Sequence, residues 1–178
     1  MDTELAIAVG ARVRTVRHER GLSLGALAAA AGIGKGSLSE LENGTRNPTL
    51  ATLYALAGAL GVPLATLLAE RAGSTVASPG IDARLLDAAE HPDGTVVEVY
   101  LLSLDPSSAH RSPSHGPGVR EHLLLTSGRA RVGRVGGEVD LGPGQAVTWV
   151  SDVEHGYAAV DGPATAVLVI TSPGDRGE

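Results

Sequence analysis

The sequence predicts two domains of opposite class, an all-α unit followed by an antiparallel β unit. Three observations carry this. Between Leu5 and Leu68 apolar residues recur every three or four positions, the spacing of one helix face. From Thr95 onward the apolar period is two, in short runs separated by Gly and Pro clusters. Between these regions the stretch Arg71–Gly80, RAGSTVASPG, is small, polar and proline-ended, and reads as a linker. The expected boundaries are 5–70 for the α domain, 71–82 for the linker and 83–173 for the β domain.

In the α domain Gly21, Gly32, Gly44 and Gly61 punctuate the helical pattern, and Pro48 and Pro63 suit helix starts. The segment Leu22–Pro48 reads as two short helices joined by a tight glycine turn. Ser23 is a helix cap. Leu27, Ala31, Ile33, Leu38 and Leu41 supply the apolar positions. Ala28 offers a minimal side chain where the helices cross, and Gly32 lies where the turn needs positive φ. This geometry lays a helix in the DNA major groove. If Leu38, Leu41 and Glu42 face inward, Gly36, Ser39, Glu40 and Asn43 share the outer face. Lys35 and Ser37 sit at the N-terminal end, placed for phosphates or base edges, and Arg46 lies just beyond, placed for the backbone. Glu40 repels phosphate but can accept from cytosine N4. The same pattern also describes a solvated polar face on an ordinary helix.

These residues resemble the Cro/λ-repressor-like helix-turn-helix family, also called the Xre family, over about Leu5 to Leu68. Arg12–Arg17 with Arg20-Gly21 is similar to the family's first helix, and Leu41-Glu42-Asn43-Gly44 to the end of its recognition helix. Pro48–Leu53 and Ala59–Leu64 are similar to its fourth and fifth helices. The resemblance implies a five-helix bundle, an internal Arg17–Glu42 ion pair and binding of a double-stranded DNA operator as a homodimer. The sequence departs at Gly34, where Ser or Thr is preferred, at Gly36 in the first turn of the recognition helix, and at Leu24, where a glutamine often touches phosphate.

In the β domain the expected strands are Thr95–Leu104, Glu121–Thr126, Ala130–Val135, Gln145–Val150, Tyr157–Val160 and Ala164–Thr171. Turns such as Ser127-Gly128, Gly136-Gly137, Gly142-Pro143-Gly144 and Asp161-Gly162-Pro163 separate them. Several short strands with regular turns mean a sandwich or barrel. His115-Gly116-Pro117-Gly118-Val119-Arg120-Glu121 followed by Gly128, then Gly137, Pro143-Gly144 and His155-Gly156-Tyr157, resemble the two cupin motifs in order and spacing. The resemblance covers roughly Leu85 to Ser172. It implies a jelly-roll β-barrel that senses a small molecule.

Metal-binding cupins supply two His and a Glu from the first motif and one His from the second. Here His115, Glu121 and His155 match, and Pro117 stands where the remaining His would be. Three ligands suit Zn, Fe or Ni with open positions. The alternative is a metal-free pocket in which the same groups form hydrogen bonds, and the loss at Pro117 favours it: no cofactor, or at most a weakly held divalent metal. Strand alternation turns His122 outward, and His18, His91 and His110 read as surface residues. Tyr100, Leu123, Leu125, Trp149 and Tyr157 are expected beside His115, Glu121 and His155 around an effector. Each of them also reads as ordinary core.

Composition narrows the function classes. The chain has 178 residues, no Cys and a net charge of −6. The absence of Cys excludes disulfides and zinc–thiolate centres. No apolar run reaches membrane-spanning length and the N-terminus does not read as a signal peptide, so a cytoplasmic location without membrane contact is expected. Residues 1–70 are net neutral and residues 71–178 carry the whole −6, so the β domain is not the DNA-contacting part. No catalytic nucleophile motif, phosphate loop or carboxylate pair appears. The expectation is a non-enzymatic, sequence-specific transcriptional regulator whose cupin domain binds a small effector. The alternative is a cupin metalloenzyme, an isomerase or dioxygenase, fused to a DNA-binding domain. An antitoxin-like module fits the first domain and leaves the second unexplained.

Overall fold

The structure, a computed structural model, describes residues 3–68 and 75–174. Residues 69–74, where the end of the predicted α domain meets the linker, lie outside the described residues.

The α domain comprises α1 (Thr3–Glu19), α2 (Leu24–Ala30), α3 (Lys35–Glu42), α4 (Leu50–Leu60) and a single four-residue turn, α5 (Leu64–Leu67). The expected five-helix bundle is thus four full helices and one four-residue turn, capped at its start by Pro63. Ser23 caps α2 by accepting from the Ala26 amide at 3.1 Å, and Thr49 caps α4 through the Thr52 amide at 3.2 Å. Gly34 precedes α3 with no side-chain cap. Gly32 has φ +65°, as the turn between α2 and α3 requires. A Cβ on Gly10 would overlap the Leu41 carbonyl, so this glycine is what allows α1 to lie directly on α3. Arg17 donates twice to the Glu42 carboxylate, at 2.7 and 2.8 Å, with both residues buried. This bidentate pair ties α1 to the end of α3.

The β domain is antiparallel throughout: β1 (Thr75–Ser78), β2 (Ile81–Glu90), β3 (Val96–Leu104), β4 (His110–Ser112), β5 (Arg120–Arg134), β6 (Val139–Leu141), β7 (Ala146–Val150) and β8 (His155–Ser172). The main order is β1-β2-β3-β8-β5-β6, with β4 beside β8 and β7 beside β5. Two expectations are corrected. Residues 75–82, assigned to the linker, form β1, a turn and the start of β2, with Val76 and Ile81 buried. The backbone pairing also does not close into a barrel, since β1 and β6 remain the ends of the described order.

The expected strand pairs 121–126 with 130–135, and 157–160 with 164–171, are single long strands that form one ribbon, β5–β8. The ribbon shifts register around Ser127, opposite Asp161–Pro163. A Cβ on Gly128, at φ +74°, would overlap the Pro163 carbonyl and Ala164, so Gly128 permits the ribbon to turn a corner there. Along β5 the inward face reads Glu121, Leu123, Leu125, Ala130 and Val132, all buried.

The apolar core is continuous across both domains. Helix α4 packs on β1 and β4 as well as on α1, α2 and α5. Its Leu50 amide, left without a partner inside the helix, donates to Ser78 Oγ in β1 at 2.9 Å.

Candidate DNA interface and effector site

On α3, Lys35, Gly36, Glu40 and Asn43 are exposed and Ser37 and Ser39 half-buried, while Leu38, Leu41 and Glu42 face inward. Arg46 is exposed and donates to Glu40 at 3.2 Å. The acidic residue on the outer face therefore holds the basic one, an exposed pair of small net worth in water. A groove of about 220 Å³ adjoins the N-terminal end of α3. Ser37, Arg46, Asn47, Thr49 and Thr52 line it, and the last three are not singled out by sequence.

The second site forms because the β5–β8 ribbon bends. Register pairs Arg134 with His155 and Glu121 with Ile170, so a straight ribbon would hold Glu121 and His155 about 40 Å apart. The corner at Gly128 brings the two ends face to face. His155 Nε2 lies 3.0 Å from Glu121 Oε1, and His115 Nδ1 lies 3.1 Å from the same oxygen. Ser151 Oγ donates to that oxygen at 2.7 Å, and the Tyr157 hydroxyl donates to Oε2. His115, Glu121 and His155 thus converge, with their ligand atoms within 4.8 Å of one another. Glu121 is fully buried.

Electrostatics follow from this burial. Burial alone would raise the Glu121 carboxyl, but His115 and His155 beside it outweigh that and hold it far below the usual carboxylate range. Burial pushes the His115 imidazole down. His155 is also lowered by burial, yet Glu121 reverses the sign and raises it. His155 Nδ1 faces the Val153 carbonyl at 3.0 Å, so Nδ1 carries the hydrogen and Nε2 is the nitrogen turned toward Glu121.

Among the described residues the buried ring nitrogens His110 Nε2 and Trp149 Nε1 have no hydrogen-bond partner, whereas His115 Nδ1 and His155 Nε2 face the Glu121 carboxylate. Their rings form one cluster. His115 and His155 meet edge-on at 4.7 Å, and Trp149 lies 6.0 Å from both His155 and Tyr157. His110 lies 6.1 Å from Tyr157. Buried polar atoms are normally satisfied, so two unpaired ring nitrogens beside the His115–Glu121–His155 cluster fit a site that takes a polar group or a cation. Two imidazoles and a carboxylate suit a divalent metal as donors.

Of the predicted effector residues, His115, Glu121, Trp149, His155 and Tyr157 come together. Leu123 and Leu125 follow Glu121 along the same inward face of β5 and are buried. Tyr100 is buried and donates to Glu98 Oε1 at 2.8 Å. Pro117 is exposed, as are His122, His18 and His91. His122 instead meets Thr148 on the outer face at 2.9 Å. His110, read as a surface residue, is corrected: it is 4 % exposed, because β4 pairs it with Tyr157 of β8. Burial lowers its pKa to about 4, and His155 and His115 add to this.

Sequence reasoning misses Ser112, Ser151 and Tyr54. Ser112 Oγ lies 3.1 Å from His115 Nε2, and the His115 amide donates to the Ser151 carbonyl at 2.8 Å. Tyr54, on α4, stacks on His115 with ring centroids 3.8 Å apart and planes 12° from parallel. Nothing in a helical sequence marks such a contact. Beside it a groove of about 650 Å³ runs between the domains, lined in part by Ala57, Val62, Pro63, His115, Val119 and Ser172.

Fold and site define a two-domain DNA-binding regulator, a helix-turn-helix unit joined to an antiparallel β domain. The helix-turn-helix family model HTH_3 matches residues 13–67. An uncharacterized HTH-type transcriptional regulator of Sinorhizobium fredii, y4dJ, is 48% identical over 54 residues, spanning 30% of this chain and 70% of that protein. The HTH-type transcriptional regulator SutR of Escherichia coli is 29% identical over 86% of this chain and 88% of its own length. The crystal structure of an HTH_3 family transcriptional regulator from Vibrio cholerae superposes with a TM-score of 0.86 at 26% identity, covering 97% of this chain and 99% of that one. The chain belongs to the helix-turn-helix family of transcriptional regulators. No helix among the described residues is long and apolar enough to cross a membrane.

Proposed function

We propose that this regulator reads a specific operator as a homodimer and that a small effector, held at His115, Glu121 and His155, sets its DNA affinity. The observation that carries the effector reading is the convergence of His115 and His155 on the buried Glu121 carboxylate, with the unpaired ring nitrogens of Trp149 and His110 in the adjoining ring cluster. An effector with a polar head would satisfy them, with Tyr157 and Trp149 beside it and Leu123 and Leu125 along the same face. If a divalent cation were the ligand, His115, Glu121 and His155 would hold it, and it would supply positive charge to a carboxylate that already stays ionised. Pro117 offers no fourth ligand, which favours weak retention and a binding rather than a catalytic role.

For DNA, Lys35, Gly36, Ser37, Ser39, Glu40, Asn43 and Arg46 form the contact surface in this reading. Ser39, Glu40 and Asn43 read bases, and Lys35 and Arg46 hold the backbone. A cytoplasmic location accords with this role.

Selection from random duplexes tests the first half. A near-palindromic motif is expected, and no enrichment overturns operator reading. For the second half, the purified protein is examined for co-purified ligand by mass spectrometry and for retained metal by elemental analysis after dialysis. Glu121→Gln is expected to abolish the effector response and leave DNA binding intact. An unchanged response in a His115→Ala, His155→Ala double variant overturns the site. Stoichiometric Zn, Fe or Ni after dialysis replaces weak retention with a tight metal centre.

A further inference from the structure

We propose that Tyr54, on helix α4 of the DNA-reading domain, is a wall of the effector site and carries the state of that site into the helix-turn-helix. The inference rests on the effector reading above and adds the route. His115 is held on both sides of the domain boundary. On the β side its amide and Nε2 are tied to Ser151 and Ser112. On the α side its ring face is covered by Tyr54, at 3.8 Å and 12°. Its Nδ1 faces the Glu121 carboxylate at 3.1 Å. A ligand engaging Nδ1 acts on a ring whose tilt is fixed by the stack, so the ligand and Tyr54 compete for, or share, one ring orientation.

Helix α4 is built to transmit that orientation. Its first amide is anchored to Ser78 in β1, and Gly58 faces the Ser114 carbonyl, one residue before His115. Its other faces pack on α1 and α2, and α2 in turn packs on α3. A change at His115 therefore moves α4 against the β domain and shifts the pose of α3, without passing through the chain connection at 69–74. Two packed arrangements of a stacked pair form the kind of discrete element that couples sites.

The test uses the full-length protein, a labelled duplex recovered by selection, and Zn²⁺ alone as probe. Trp149 is the only tryptophan and lies 6.0 Å from His155, so its emission reports the site while duplex anisotropy reports DNA binding. In wild type and Y54F, which keeps the stack, Zn²⁺ is expected to alter Trp149 emission and change the DNA Kd by about fivefold or more. In Y54L the emission change is expected to persist and the Kd change to fall below about twofold. Y54M serves if Y54L does not fold. A full Kd shift in Y54L overturns the Tyr54 route and leaves the effector reading standing. A Trp149 response with no Kd shift in wild type overturns both. A second arm needs no ligand: His115→Ala is expected to change the DNA Kd about threefold in wild type and not in the Y54L background. Equal changes in both backgrounds, or none in either, overturn the route even if Zn²⁺ does not bind.

Discussion

Glu121 is a fully buried carboxylate, and its neighbours explain how it stays ionised: two imidazoles, a serine and a tyrosine hydroxyl surround it. A residue beside this arrangement that sensitises it to acid is His110, whose pKa burial lowers to about 4. In the unfolded chain the same imidazole titrates near 6.5. Between these values the unfolded chain holds more protons, so stability attributable to His110 is present above pH 6.5 and lost as pH falls toward 4, by about 3 kcal/mol at most. His155, raised by Glu121, acts in the opposite sense and contributes at low pH, so the difference between variants is the quantity to read. Urea unfolding of wild type and His110→Gln at pH 4.5 and 7.5 should show the variant losing less stability on acidification. Equal losses would show that His110 does not titrate in this window.

At the level of elements, α3 and the β5–β8 ribbon carry the two candidate sites. At the end of α3 Arg46 pairs with Glu40, the one proposed to hold the DNA backbone and the other to read a base. Lys35→Ala and Arg46→Ala should each weaken binding across all duplex sequences and lower the salt slope by about one. Glu40→Ala should release Arg46, tightening non-specific binding while relaxing base preference, as read by salt-dependent anisotropy on matched and mismatched duplexes. On the ribbon, the corner depends on Gly128. Gly128→Ala combines a strained positive φ with overlap against Pro163 and Ala164, an overpacking of about 1–3 kcal/mol. It should lower the unfolding midpoint and shift Trp149 emission, because the corner is what brings Glu121 to His155. A midpoint and emission like wild type would place the corner elsewhere.

In the whole molecule the two domains share one apolar core, with Leu50, Tyr54 and Ala57 of α4 and Val76 of β1 in the same cluster. The small polar linker by itself would suggest independent units. The shared core instead leads to one cooperative transition, in which helix loss at 222 nm and Trp149 emission change at the same denaturant concentration. Y54L should separate the two midpoints. Separate transitions in wild type would mean that the α4 contacts with β1 and β4 contribute little in solution.

Much of this protein is legible from its sequence, because the signals are local. Ser23, Gly32 and the Leu38/Leu41 spacing specify two helices and their turn by capping, positive φ and periodicity, all within a few residues. The spacing of His115, Glu121 and His155 marks the site through a resemblance that needs no coordinates. Elements with weak local signals are missed. β2, IDARLLDAAE, is rich in residues that disfavour strands and is a strand because Ile81, Ala83 and Leu85 are buried against neighbours. β4 has three residues and exists only as a partner of β8, which is why His110 reads as surface until the sheet covers it. The joining of two predicted strand pairs into one bent ribbon, and the placement of Tyr54 over His115, depend on contacts between residues far apart in the chain. Periodicity reports which face of an element is buried. What that face is buried against is decided by long-range packing, and here that packing places a helix of the DNA-reading domain against the candidate effector site.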